Sequence, residues 1–181
     1  MSIDRTIENF LVEHPLSAFS FYTEGHFEVL KKTGKAIYTA LDHAFEDSYF
    51  DGKVLHGVDH NALHEAYGLF WLWTLGVFEL TRTMSTAKKC FVPEMRQKLD
   101  DLKAHLAIIR SPFAKQQPRG KREPIRGEAS ISGIDGVKKD ICFSAEGNKF
   151  WVRYEIRAFE ELIESITIRD IVATYSASFE L

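Results

Sequence analysis

Three histidines stand four residues apart in the run HGVDHNALHEA: His56, His60 and His64. On a helix, His60 and His64 project from the same face. Two imidazoles presented this way commonly grip one divalent metal ion. Asp59, Glu65 or His43 would supply a further ligand after folding. The run lacks the Glu directly after the first His that a zincin helix carries, so no hydrolytic motif is implied. The plainer reading is the polar first turn of a helix, its histidines hydrogen-bonded to loop carbonyls.

Glu79 and Arg82 are the second candidates. They stand at i, i+3 on one helix face and can pair directly. If both are buried, the pair is an internal salt bridge, because an uncompensated interior charge is costly. The functional alternative places Arg82 in a pocket that receives an anionic ligand, with Thr81, Thr83, Lys88 and Lys89 nearby.

A third set is basic: Arg110, Lys115, Arg119, Lys121, Arg122 and Arg126, offset only by Glu123 and Glu128. Cations on a loop can hold the phosphates of a nucleic acid. Only Phe113 offers an aromatic ring there, so base stacking has little support. Cys90, just before Phe91-Val92-Pro93, reads as a buried thiol more readily than as a nucleophile. Neither GxSxG, a P-loop nor GxGxxG occurs.

The elements that must position these residues are mostly helical. Apolar residues at helical spacing predict a short helix over 3–13, ended by Pro15, and a second helical region over 16–45. Residues 47–58 read as a loop with room for a brief strand. Asp59 is the expected N-cap of a long helix over about 60–84. Its stretch AYGLFWLWTLGVF, 66–78, holds no charge and is expected to be buried on every side as the centre of the fold. Gly68 and Gly76 are expected to admit a neighbouring backbone.

Pro93 opens an amphipathic helix with Met95, Leu99, Leu102, Leu106 and Ile109 on one face. Ser111-Pro112 is expected to stop it. Residues 112–128 then read as a mobile basic loop, and 129–153 as an inserted β-hairpin turning at Glu146-Gly147-Asn148. A further strand is expected over 131–137. Helical spacing resumes from Ile156 to Ile166. The sum is a mainly α (α+β) single domain over 1–181. It is a four- to five-helix bundle with a small antiparallel β-hairpin before the C-terminal helix.

A hydrophobic helix carrying Trp73, Gly76, Glu79 and Arg82 among antiparallel helices resembles the HEPN class of helical domains, over about residues 17–110. That class includes RNA-cleaving toxins and their inactive relatives. Its catalytic signature is an Arg, four to six intervening residues, then a His. No Arg here precedes a His at that spacing, so the resemblance implies no catalytic residue.

Of 181 residues, 45% are apolar and 27% charged, which suits a globular domain with a real core. The net charge of −3 argues against a broadly cationic protein. Two cysteines without CxxC spacing, behind a charged N-terminus, imply a reduced, cytoplasmic chain. The 66–78 run falls short of the roughly 20 apolar residues that span a bilayer, so no membrane partner is expected. The expectation is a non-enzymatic binding module that associates with copies of itself. The alternatives are a metal- or small-ligand-binding protein or enzyme using the histidines, and a nucleic-acid-associated protein using the basic loop.

Overall fold

A long hydrophobic helix needs a defined start, and Asp59 provides it. The computed structural model describes residues 3–50, 53–55, 57–115 and 130–175. Helices α1 (Ile3–Glu13), α2 (Leu16–Phe19) and α3 (Phe21–Ala44) precede a strand pair, β1 (Ser48–Phe50) and β2 (Lys53–Leu55); helix α4 (His60–Thr86) follows. Asp59 Oδ1 accepts from the backbone N–H groups of Asn61 (2.8 Å) and Ala62 (3.2 Å). Those amides have no acceptor within the helix, so the carboxylate satisfies them. The Ala62 and Asn61 hydrogen bonds hold the Asp59 carboxyl below its ordinary range. Ser20, extended at φ −163°, caps α3 by accepting from Thr23 N–H. That cap is why the second helical region is divided into α2 and α3.

Helix α5 spans Pro93–Lys115 and continues through Pro112, which corrects the expected stop. Proline removes one backbone donor and costs about 3 kcal/mol in a helix interior. Burial of Pro112 and Phe113 in the core offsets that cost. Phe113 packs edge-on against Phe70 and Phe143, and its carbonyl accepts from Trp71 Nε1 at 3.2 Å.

Strands β3 (Ile131–Asp135), β4 (Asp140–Ala145) and β5 (Asn148–Trp151) form an antiparallel sheet in the order β3-β4-β5, directly before α6 (Val152–Glu164). Glu146 and Gly147 both take positive φ between Ala145 and Asn148. That is the two-residue turn whose twist suits a hairpin. Along β4, Asp140, Ile141, Cys142 and Phe143 are all buried, as suits a central strand. After α6, a 3-10 turn at Ile168–Asp170 leads to an isolated bridge between Ile171 and Phe91. Tyr175 N–H then bonds Phe19 O at 2.7 Å. The protein is thus mainly α with a small antiparallel sheet before its last long helix. No described helix is long and apolar enough to cross a membrane.

The core is an aromatic column centred on α4. Phe70 stacks between Trp73 (5.7 Å) and Phe143 of β4 (5.5 Å). Trp73 meets Phe159 of α6 edge-on at 5.5 Å, and Phe159 meets Phe27 of α3. Burial of α4 is one-sided rather than complete. Ala66, Phe70, Trp73 and Val77 are buried, whereas Trp71 and Leu72 are exposed because they point away from this column.

Two glycines of α3 separate packing from propensity. A Cβ on buried Gly34 would stand 2.9 Å from Ile156 Cγ2 and 3.0 Å from Glu160 Oε1. A Cβ on exposed Gly25 would meet nothing within 4 Å. Gly34→Ala is expected to destabilise by about 1–3 kcal/mol through overpacking against a stiff, β-branched neighbour. Gly25→Ala is expected to stabilise by up to about 1 kcal/mol through helix propensity. Urea unfolding of the two variants checks the opposite signs.

Candidate functional site

Where α3 and α4 pack antiparallel, Leu30 uses the space that Gly76 leaves. A Cβ on Gly76 would stand 2.7 Å from Leu30 Cδ2. The space at Gly76 is thus taken by the Leu30 side chain rather than by the expected neighbouring backbone, and Gly68 has nothing within 4 Å. Toward Ser20 and Thr83 an open groove of about 810 Å³ lies between the helices. Tyr22, Val29 and Leu30 line one side, Leu80 and Glu79 the other, and Tyr175 one end. Tyr22 and Val29 are 79% and 59% exposed, so the groove presents apolar surface directly to solvent.

Glu79 and Arg82 do pair, with Oε2 2.6 Å from the guanidinium, but at the surface rather than inside. The exposed geometry makes this a weak contributor. Glu79 and Thr83, not Arg82, line the groove. Arg110 is no loop residue, because α5 continues past it. Its guanidinium packs 4.8 Å from the Phe78 ring centroid and 3.7 Å from Glu79 Oε1. It therefore belongs to the bundle's own packing. Lys115 ends α5, and Arg119, Lys121, Arg122 and Arg126 lie outside the described residues.

His60 and His64 sit exposed in the first turns of α4, and His56 lies outside the described residues. Asp59 is committed to the helix cap. Among the described residues, no three His, Cys, Asp or Glu side chains are grouped to hold a metal ion. Cys90 and Cys142 are free, buried thiols, and burial pushes the Cys90 thiol up, away from the reactive thiolate.

The groups that the spacing did not reveal gather where β4, β5 and α6 meet. Glu155 is only 4% exposed, and its carboxylate lies 2.6 Å from His105 Nε2 on α5. That hydrogen bond raises the His105 imidazole above its ordinary range, against the opposing pull of burial. Asp140 opens β4 and is buried. It accepts from its neighbour Ile141 N–H (2.8 Å) and from Arg153 N–H (3.3 Å). Trp151, the N-cap of α6, makes no side-chain capping bond, so Asp140 satisfies that helix end from a neighbouring strand. Burial pushes its carboxyl up, while the two amides oppose the shift. Arg153 Nε donates to Lys139 O (2.8 Å), and its guanidinium reaches Asp42 of α3 (2.6 Å).

No family model, curated protein or solved structure matches this chain.

A signal for Glu155 and its partner His105 was nonetheless present in the sequence. Glu155 lies on the apolar stripe Val152, Ile156, Phe159 and Ile163, and His105 lies between Leu102 and Leu106 on the stripe of α5. A charged residue on a core-facing stripe requires a partner.

The raised imidazole makes the bond to Glu155 pH-dependent. Its contribution to stability is complete below the unfolded value of 6.5 and fades as pH rises through the raised folded value. Wild-type protein should therefore lose more stability than His105→Gln between about pH 6 and about pH 9. Urea unfolding at both pH values measures the difference.

Asp140→Ala should cost about 1–3 kcal/mol by leaving the Arg153 amide buried and unmatched. Asp140→Asn keeps an acceptor and should cost less than about 1 kcal/mol. Thermal or urea unfolding of the pair distinguishes a capping role from a charge role.

Proposed function

We propose that this chain is a non-catalytic binding module that pairs with a second copy of itself, helix α1 of each copy lying in the α3–α4 groove of the other. The observation that carries the reading is the open apolar groove, with Tyr22 and Val29 facing water. An amphipathic helix in an apolar groove is a common recognition mode, anchored by residues at i, i+3 and i+4 spacing. Helix α1 offers such a face: Ile7 and Phe10 are both exposed. Near its C-terminal end Phe10 packs on His14, and His14 Nδ1 lies 3.2 Å from Glu24 of α3.

Reciprocal exchange buries two grooves and two helix faces about one twofold axis, so each contact counts twice. A stable pair needs roughly 800 Å² from each copy. The resemblance to HEPN domains adds no residue to this reading.

Sedimentation velocity tests it. Wild-type protein should sediment as a dimer at micromolar concentration, corresponding to about 8 kcal/mol of association. Ile7→Glu and Val29→Glu should each give monomers with unchanged far-ultraviolet circular dichroism, because both positions are exposed. Wild-type protein that stays monomeric at roughly 0.1 mM, where even micromolar affinity saturates, would end the proposal. So would charge variants that still dimerise.

A further inference from the structure

A second, smaller pocket lies beside the start of α6, with a volume of about 480 Å³. That is within the range of roughly 300–1,000 Å³ typical of small-ligand sites. Its walls alternate rings and cations. Tyr38, Trp151 and Tyr154 supply the rings; Lys138, Arg153 and Arg157 supply the charge. We propose that this pocket binds a planar aromatic anion of the nucleoside monophosphate class, its ring stacked on Tyr154 and Trp151 and its phosphate held by Arg157 and Lys138.

The cations differ in how firmly they are held. Arg153 is fixed by Asp42 and Lys139 O and lies 5.2 Å from the Tyr38 ring centroid, so it shapes the floor. Among the described residues Arg157 pairs with Glu161 alone, at 3.6 Å, both side chains about two-thirds exposed. Lys138 pairs with Asp135 at 3.7 Å and is the more exposed partner. Loose surface pairs of this kind are worth little. A phosphate dianion, which a guanidinium can grip through two parallel hydrogen bonds, would outcompete them.

The rings are arranged in the same sense. Lys138 Nζ stands 5.9 Å from the Trp151 ring centroid, so a cation and an aromatic face already share one spot. Tyr154 is 57% exposed, so its ring is open to a stacking ligand. The one buried acid that borders the pocket, Asp140, turns its oxygens onto the Ile141 and Arg153 amides and repels a bound anion less than a free carboxylate would. A neutral ring would forgo the two loose cations, and inorganic phosphate would forgo the aromatic wall. The pairing of both features selects a ligand that carries both.

Isothermal titration calorimetry of the full chain with AMP, adenosine and inorganic phosphate tests the assignment. AMP should bind; phosphate should bind at least about tenfold more weakly for want of a stacking contribution of about 1–3 kcal/mol, and adenosine at least about tenfold more weakly for want of charge-assisted bonds of about 1.5–3 kcal/mol. Tyr154→Ala and Arg157→Gln should each weaken AMP about tenfold or more. Both residues lie on the exposed side of α6, so the fold is preserved. Absence of AMP binding to the wild-type chain overturns the proposal. Phosphate binding as tight as AMP, or AMP binding unchanged in both variants, overturns it equally.

Discussion

One column of rings joins α3, α4, α5, α6 and β4. Trp73 and Phe70 on α4 contact α3, α5, α6 and the central strand β4 either directly or through one further ring. Each such side chain buries about 150–250 Å², so at about 25 cal/mol/Å² it contributes up to about 4–6 kcal/mol. The Trp73 indole N–H is buried without a hydrogen-bond partner, which costs about 1–3 kcal/mol. Burial therefore outweighs the orphaned donor, and the ring stays inside. The same arithmetic explains how a proline is kept within α5: removing Phe113 from the column would cost more than the missing backbone hydrogen bond.

Around that apolar centre, polar groups act as fasteners rather than as supports. Asp140 joins the β3–β4 turn to the start of α6, and Arg153 carries the connection on to α3. Glu155 joins α6 to α5 through His105. These bonds are individually modest. They fix the rotation of α6, which decides what Trp151, Tyr154 and Arg157 present to solvent. The hydrophobic column holds α6 in place, and the buried carboxylates orient it.

Local signals in the chain were legible where their cause is local. Asp59 announces a helix start because a cap acts within three residues. Met95 to Ile109 announce a buried face because helical periodicity repeats over one turn. Glu146-Gly147 announce a hairpin because the turn itself demands positive φ. The failures have the opposite origin. Pro112 reads as a stop until the rings that receive Phe113 are known, and these lie on α4 and β4. Trp71 and Leu72 read as core because a purely apolar run does not say which side its neighbours cover. The candidate sites show the same limit. His105 and Glu155 are separated by fifty positions in the chain, and Arg153 and Asp42 by 111. Only the fold brings them together, although Glu155 and His105 each betray themselves by interrupting an apolar stripe.

One connection has a consequence for how the chain reaches this state. Phe19, near the beginning, is sealed under Phe91 and Tyr175, and the final described residues also pair with the 90–92 segment. Contacts of such long sequence separation form late and slow the search for the native state. On the ribosome, Phe19 lacks these covers until Phe91 and then Tyr175 have been synthesised. The Leu16–Phe19 segment is then a natural client of any chaperone that shields nascent chains.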